Sequence, residues 1–355
     1  MGFRAMQRLV FLGVISISLL GCASPTKQDN NGETKTLFQP EFASFFKVVS
    51  HGKDSVLVLL HPSNQLDNDS ISLSKTYDIA CLSATHSAFI SELKASNQIK
   101  AIDDCAFHAH EAIKKRCEKN DIYVFGETSG LHPERIIESK VNLISISGFD
   151  NKPSWSASVE KLGVSCCRIW EWKEKSPLAK AEWIIAFGYL TGKSALAKEI
   201  FAKELRQYKE LQQNKSKGLK SFSGNSYQGV WYCPGSSSYM AKLMEDAGLE
   251  YILNYPGFGS ASIQNEEAIM ALNKSDIWIY HGSCRSVSCL LKEDNRLSFS
   301  GEVLKNIWAP WKNVEKNGAN PFWDYGAVYP SMILEDYINI SHNNTEQLNF
   351  YVKLP

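Results

Sequence analysis

The sequence has no excess charge of either sign: 38 Lys and Arg stand against 38 Asp and Glu in 355 residues. The positive field that binding to a phosphate backbone draws on is therefore missing, which argues against a nucleic-acid partner. Also missing are a nucleophile elbow, a phosphate loop and an H-E-x-x-H pair, and Gly257-Phe258-Gly259 lacks the third glycine of a dinucleotide fingerprint. No familiar catalytic engine is visible, and no repeat recurs at solenoid spacing. Beyond residue 21 no apolar run approaches the ~18 residues of a membrane-spanning helix. What is present is ordinary globular composition, 44% hydrophobic and 21% charged, in a chain long enough for two domains of roughly 150 residues.

The first residues set the compartment. Arg4 and Arg8 precede an apolar run over 9–20, which closes on Leu19-Leu20-Gly21-Cys22. That run is too short to span a bilayer and reads as a signal peptide over 1–21. Its end is similar to a bacterial lipoprotein box, in which Cys22 becomes the acylated N-terminus. The polar stretch that follows predicts a flexible tether over 22–40, so the body is expected to be held at a membrane surface by lipid. Eight cysteines remain after Cys22, and an exported chain permits disulfides. Cys284 with Cys289, and Cys105 with Cys117, are the nearest partners in sequence. Adjacent Cys166 and Cys167 fall in a predicted strand, which points them to opposite faces.

Short apolar runs then alternate with helical patterns. Two β-rich runs around His51-Gly52-Lys53-Asp54 predict a hairpin, within a segment 41–74 of hairpin and link. Strands are predicted over 77–82, 121–125, 141–146 and 164–170, with helices over 85–94 and 134–139, which gives a first α/β lobe over 75–175. Ser176-Pro177 is a capping hydroxyl followed by proline at the first helical position. It opens a helical segment over 176–215, whose second helix carries Ala197, Phe201, Leu205, Tyr208 and Leu211 on one face. Residues 214–224 read as a polar loop. Strands over 229–233, 251–253 and 276–280, with helices over 239–247 and 265–272, make a second α/β lobe over 225–355.

Two groups of residues carry chemistry. Cys105, His108, His110 and Cys117 place two thiols and two imidazoles within 13 positions. They fit either a zinc or iron site or surface histidines beside a disulfide. Tryptophans form the other group. Several fall where strands meet loops, which is where an α/β sheet opens its crevice. Trp155, Trp172, Trp308 and Trp311 are the candidates for an aromatic wall.

The residues resemble the substrate-binding lipoproteins of ABC importers for iron-siderophore, haem and cobalamin compounds, in the forms found in Bacteroidetes-like bacteria. The likeness covers nearly the whole mature chain. It runs through Cys81-Leu-Ser-Ala-Thr-His86, Pro133-Glu-Arg-Ile136, Lys161-Leu-Gly-Val164, Ser176-Pro-Leu-Ala179, Trp231-Tyr-Cys-Pro-Gly-Ser-Ser-Ser-Tyr239 and Asn320-Pro-Phe-Trp323. The family has Pro-Asp where this chain has Val141-Asn142. The resemblance implies an α/β fold of two Rossmann-like lobes bridged by a single long α-helix, that of a class III periplasmic binding protein. It implies no resident cofactor and no covalent chemistry. The cargo would be an iron chelate (siderophore or haem) or cobalamin held between the lobes, and the partners an inner-membrane permease with its ATPase. The chain would sit on the periplasmic face of a bacterial membrane. Thr85, His86, Ser237, Ser238 and Tyr239 are implied as cleft residues, and Glu134 and Glu266 as the groups that dock onto the permease. His86 equally fits a hydrogen bonder at a helix start, Tyr239 a staple of its helix, and each glutamate a first-turn acid favoured by the helix dipole. An exported metal-dependent enzyme and a carbohydrate-binding or adhesion lipoprotein are the competing readings.

Overall fold

The computed structural model describes residues 34–126, 131–215 and 218–355; the predicted signal peptide and Cys22 lie outside the described residues. Two parallel sheets organise the chain. The first has the spatial order Tyr123–Val124, Ile99–Ile102, Ile79–Leu82, Leu143–Ser147, Ser165–Ile169, with every neighbouring pair parallel. Its inner strands are apolar runs covered on both faces, as parallel sheets require. Cys166 and Cys167 enter different apolar clusters, one on each side of this sheet.

The second sheet has the order Glu250–Tyr251, Lys220–Ser223, Ile277–Ile279, Ile307–Ala309, Val352–Lys353. Only its last pair is antiparallel. Lys220–Ser223 lies inside the stretch predicted as a polar loop, so the second lobe begins before residue 225. Ser221 and Ser223 are fully buried there, and the Ser221 hydroxyl donates to the Glu250 carbonyl at 3.3 Å. A serine that finds such an acceptor can sit in a sheet interior, and hydropathy does not register it.

A four-stranded antiparallel sheet of Lys35–Phe38, Phe46–His51, Asp54–Leu59 and Asp69–Ser72 precedes the first lobe. The predicted hairpin forms its centre. The tether expected to reach residue 40 ends earlier, because Lys35–Phe38 pairs with Phe46–His51. Arg168 ties this sheet to the first lobe through Asp67 at 2.7 Å and Asp69 at 2.9 Å.

The segment after Ser176 divides at Glu182 into Pro177–Ala181 and Trp183–Leu190. The helix Ser194–Leu211 follows and spans 18 residues, about 27 Å at 1.5 Å per residue. Ala197 and Phe201 pack into the first lobe's core and Tyr208 into the second's, with Leu205 touching both. It is the bridge between the lobes. A second crossing is made by the helix Pro321–Val328, which packs on Ala84–Glu92. Buried Asp324 on that helix accepts the N–H groups of Ala109 at 2.5 Å and His110 at 2.6 Å.

Burial raises several carboxyls against the hydrogen bonds that favour their ionised form: Asp324 to about 8, Glu204 to about 7 and Glu174 to about 7. A carboxyl raised in the folded state binds its proton more tightly there than in the unfolded chain, so its contribution is complete at low pH and is lost as pH rises through the folded value. His281, lowered to about 4 by burial, acts oppositely, but only below about pH 6.5. The melting temperature is therefore expected to fall between pH 6.5 and 8.5. Asp324→Asn keeps an oxygen for both N–H groups and should remove part of that fall; calorimetry showing a flat or rising midpoint in the parent chain would contradict the assignment.

Candidate functional site

In both lobes the carboxyl ends of the parallel strands open onto one cleft, the position where open α/β sheets bind ligands. Ser165–Ile169 of the first lobe runs into Trp170-Glu171-Trp172, and Leu143–Ser147 into Gly148-Phe149. Trp172 lines the cleft, and its indole N–H donates to the Gly148 carbonyl at 3.1 Å. Glycine is required at 148, since a Cβ there would meet the Trp170 ring at 2.4 Å. Phe149, largely exposed, leans on Trp172 at 5.9 Å between ring centroids. The second lobe supplies Tyr232, Tyr239, Phe258, His281 and Trp323. Trp172 approaches Gly259 across the cleft so closely that a Cβ there would lie 3.3 Å from its ring. The cleft is open to solvent on one side and has a volume of about 370 Å³, within the range of small-molecule sites.

The cleft wall is aromatic and its surroundings are cationic. Among the described residues no Asp or Glu lines it, and three ammonium groups stand over its rings. Lys173 lies 5.2 Å from the centre of Trp172, Lys175 5.1 Å from Phe258 and Lys180 4.4 Å from Tyr239. His281 Nε2 lies 3.0 Å from the Tyr351 hydroxyl, which in turn lies 3.0 Å from that of Tyr337. Its lowered pKa leaves the ring neutral at physiological pH.

The structure sorts the residues proposed from sequence. Trp172, Ser238 and Tyr239 line the cleft, and Ser238 also caps its helix by accepting the Ala241 N–H at 3.2 Å. Ser237 lines a neighbouring hollow of about 460 Å³ instead. His86 is fully buried, with Nδ1 3.2 Å from Ser145 Oγ, Nε2 3.8 Å from Glu171 and the ring against Phe187. Buried Thr85 donates to Glu171 at 2.8 Å. Both residues buttress the loop that carries Trp172 and lie outside the cleft lining. Trp155 and Trp308 are core residues, 7% and 5% exposed. Trp308 sits within Ile307–Ala309 and donates to Asn306 at 2.8 Å. Trp311 packs edge-on to Tyr280 beneath Arg285, outside the cleft lining. Phe258, Tyr232 and His281 were missed, although position gives a signal for two of them: Phe258 lies in the Gly-rich loop and His281 directly after a predicted strand.

Glu134 and Glu266 are exposed in the first turns of Pro133–Ser139 and Asn265–Leu272, one on each lobe. Glu266 lies 3.5 Å from Arg296. The four-residue metal cluster does not form. Cys105 and Cys117 are joined in a disulfide, as are Cys284 and Cys289. His108 is held between Ser87 at 2.7 Å and Asp103 at 2.6 Å, and His110 Nε2 lies 3.0 Å from Glu92 while its Nδ1 accepts the Ala112 N–H. A disulfide removes the thiolates such a site needs.

The fold is that of the class III periplasmic binding proteins. A periplasmic binding protein from Veillonella parvula superposes with a TM-score of 0.61 at 11% identity, over 82% of this chain and 99% of that one. The apo haem-binding protein RhuT of Roseiflexus sp. RS-1 gives 0.58 at 14%, over 77% and 100%. The haem-binding protein HutB of Vibrio cholerae gives 0.57 at 15%, over 72% and 98%. No family model matches the chain. An uncharacterized lipoprotein of Methanocaldococcus jannaschii is 27% identical over 241 residues, 65% of this chain and 55% of that protein. The match thus spans about half the length of that relative.

Thiol titration checks the cysteine assignment. A chain beginning after Cys22 should show no reactive thiol when native, four in denaturant and eight after reduction, from four free cysteines and two disulfides. Eight without reduction would restore the metal reading.

Proposed function

We propose that this chain is the substrate-binding component of an ABC importer, held by lipid on Cys22 at the periplasmic face of a bacterial membrane. Its ligand is a bulky iron chelate, siderophore or haem, or cobalamin. The observation that carries the reading is the aromatic cleft between the carboxyl ends of two parallel sheets, walled by Trp172 from one lobe and Tyr239 and Phe258 from the other. The haem-binding neighbours share the fold and lend support, as does the lipoprotein relative.

The work is differential affinity. A ligand that touches Trp172 and Phe258 together favours the arrangement in which the lobes approach, because each ring buries apolar area only when both are engaged. The bridging helix is continuous, so closure on this reading is modest. Delivery to the permease and its ATPase uses Glu134 and Glu266, whose exposed carboxylates are free to meet cationic groups once Glu266 exchanges its Arg296 contact. The enzyme reading loses its metal ligands to the Cys105–Cys117 bridge.

Tryptophan fluorescence titration with haemin, ferric citrate and cyanocobalamin tests the capture step. At least one is expected to quench saturably, and Trp172→Ala to weaken that ligand about ten-fold or more, the range for truncating a central aromatic contact. Saturable binding unaffected by Trp172→Ala would move the site elsewhere. The double variant Glu134→Lys with Glu266→Lys is expected to abolish cellular uptake with affinity unchanged; uptake at the parent rate would remove the docking role.

A further inference from the structure

Lys180 is 7% exposed, and a buried ammonium is costly unless paired. It has three donors to place. One goes to the Tyr239 hydroxyl oxygen at 3.3 Å, and the Tyr239 ring lies 4.4 Å away. Among the described residues no carboxylate forms an ion pair with it. Its field does reach Glu171: burial opposes ionisation of that group, but hydrogen bonding to His86 and the charges of His86 and Lys180 hold its carboxyl below the usual range. Glu171 is already engaged by Thr85 and His86. Tyr239 accepts from Lys180, so its phenolic proton is left to donate, and no other group engages it among the described residues. Tyr239 lines the cleft. So does Ser223, whose buried hydroxyl has no hydrogen-bond partner.

We infer that the cleft is built for an anionic ligand, one whose carboxylate is received by the Tyr239 phenol with the Lys180 ammonium directly behind it and Ser223 elsewhere on the same lining, while its flat apolar body lies between Trp172 and Phe258. The inference rests on the reading of the cleft as the ligand site and narrows it. The ammonium supplies the charge and the phenol the directed donor, a charge-assisted arrangement stronger than a neutral one. Lys173 and Lys175, over Trp172 and Phe258, place the same sign behind the wall; Lys173 also lies 3.4 Å from exposed Asp150. With no acid among the described lining residues, a carboxylate-bearing chelate is favoured over an uncharged corrinoid of similar bulk, which would bring the remaining Lys180 donors no anionic partner.

The test compares haemin, haemin dimethyl ester, ferric citrate and cyanocobalamin by fluorescence titration of the chain lacking residues 1–33. Haemin is expected to bind at least ten-fold more tightly than its ester. Lys180→Met is expected to cost haemin about ten-fold and leave the ester unchanged, with Lys180→Arg restoring part of the loss. Ferric citrate binding in place of haemin, weakened by Lys180→Met, also supports a carboxylate seat. If Lys180→Met does not fold, Tyr239→Phe and the acid-against-ester comparison in the unaltered chain still decide. Ester or cyanocobalamin binding as tightly as the acids would overturn the inference and leave the cleft reading intact. Binding of none of the four would overturn both.

Discussion

Buried carboxylates that accept backbone N–H groups from distant segments are the interaction on which this architecture depends. Where a chain enters or leaves an element, its N–H groups lack partners, and burying them unpaired costs more than a made bond returns. Glu182 accepts from Glu41, Phe42 and Ala43, and Glu174 from Ser44 and Phe45. These bonds fasten the N-terminal sheet to the helical segment. Glu204 on the bridging helix accepts from the N–H and hydroxyl of Ser331, at the start of Pro330–Ser341. Asp336 accepts from Asn349, Phe350 and Tyr351. A carboxylate suits the task because its two oxygens offer about four acceptor sites and no donor.

The cleft inherits its rigidity from these fastenings. Asp336 fixes the backbone of Tyr351, and the Tyr351 hydroxyl fixes His281. Glu171 is gripped by Thr85 and His86, and Trp172 follows it directly, its indole held by the Gly148 carbonyl. Each wall is thus set by a buried polar contact one residue behind the side chain that faces the ligand space. Relative motion must come from the lobe boundary, where Ser194–Leu211 is one unbroken helix. Bending it sharply would need a proline, a π-bulge or an inserted group, and its sequence has no proline.

What the sequence made legible follows from period and hydropathy. Ile79–Leu82 and Leu143–Ser147 are apolar runs, and Ser194–Leu211 repeats its apolar residues at three and four, so all three were readable. Lys220–Ser223 was not, because two of its four residues are buried serines, Ser221 held by an acceptor remote in sequence and Ser223 turned to the cleft lining. Among the tryptophans the failure is of another kind. Trp172 and Trp308 both lie near the end of a strand, yet one meets the opposite lobe and the other is covered by the helices of its own. Which happens depends on the path of segments a hundred residues away, and local pattern carries no record of it. The same holds for His86: a helix-start histidine is a ligand group or a buttress according to whether Glu171 and Phe187 return to it.

Of the two readings open for Cys105, His108, His110 and Cys117, the disulfide is the one that forms, and it gives these residues a different purpose. Cys105 and Cys117 flank the segment whose Ala109 and His110 N–H groups meet Asp324 from the second lobe. A disulfide across 12 positions restricts the conformations open to that segment, so its two donors are presented together rather than ordered at the moment of contact. His110 adds its ring against Tyr325, and Glu92 meets both the His110 imidazole and the Tyr329 hydroxyl. The free thiols do not threaten this bridge: Cys81, Cys166 and Cys233 are buried and pushed up to about 12, and exchange proceeds through the thiolate. Soft and imidazole side chains at this spacing therefore organise a contact between lobes, with oxidation fixing the loop that a metal would otherwise have had to hold.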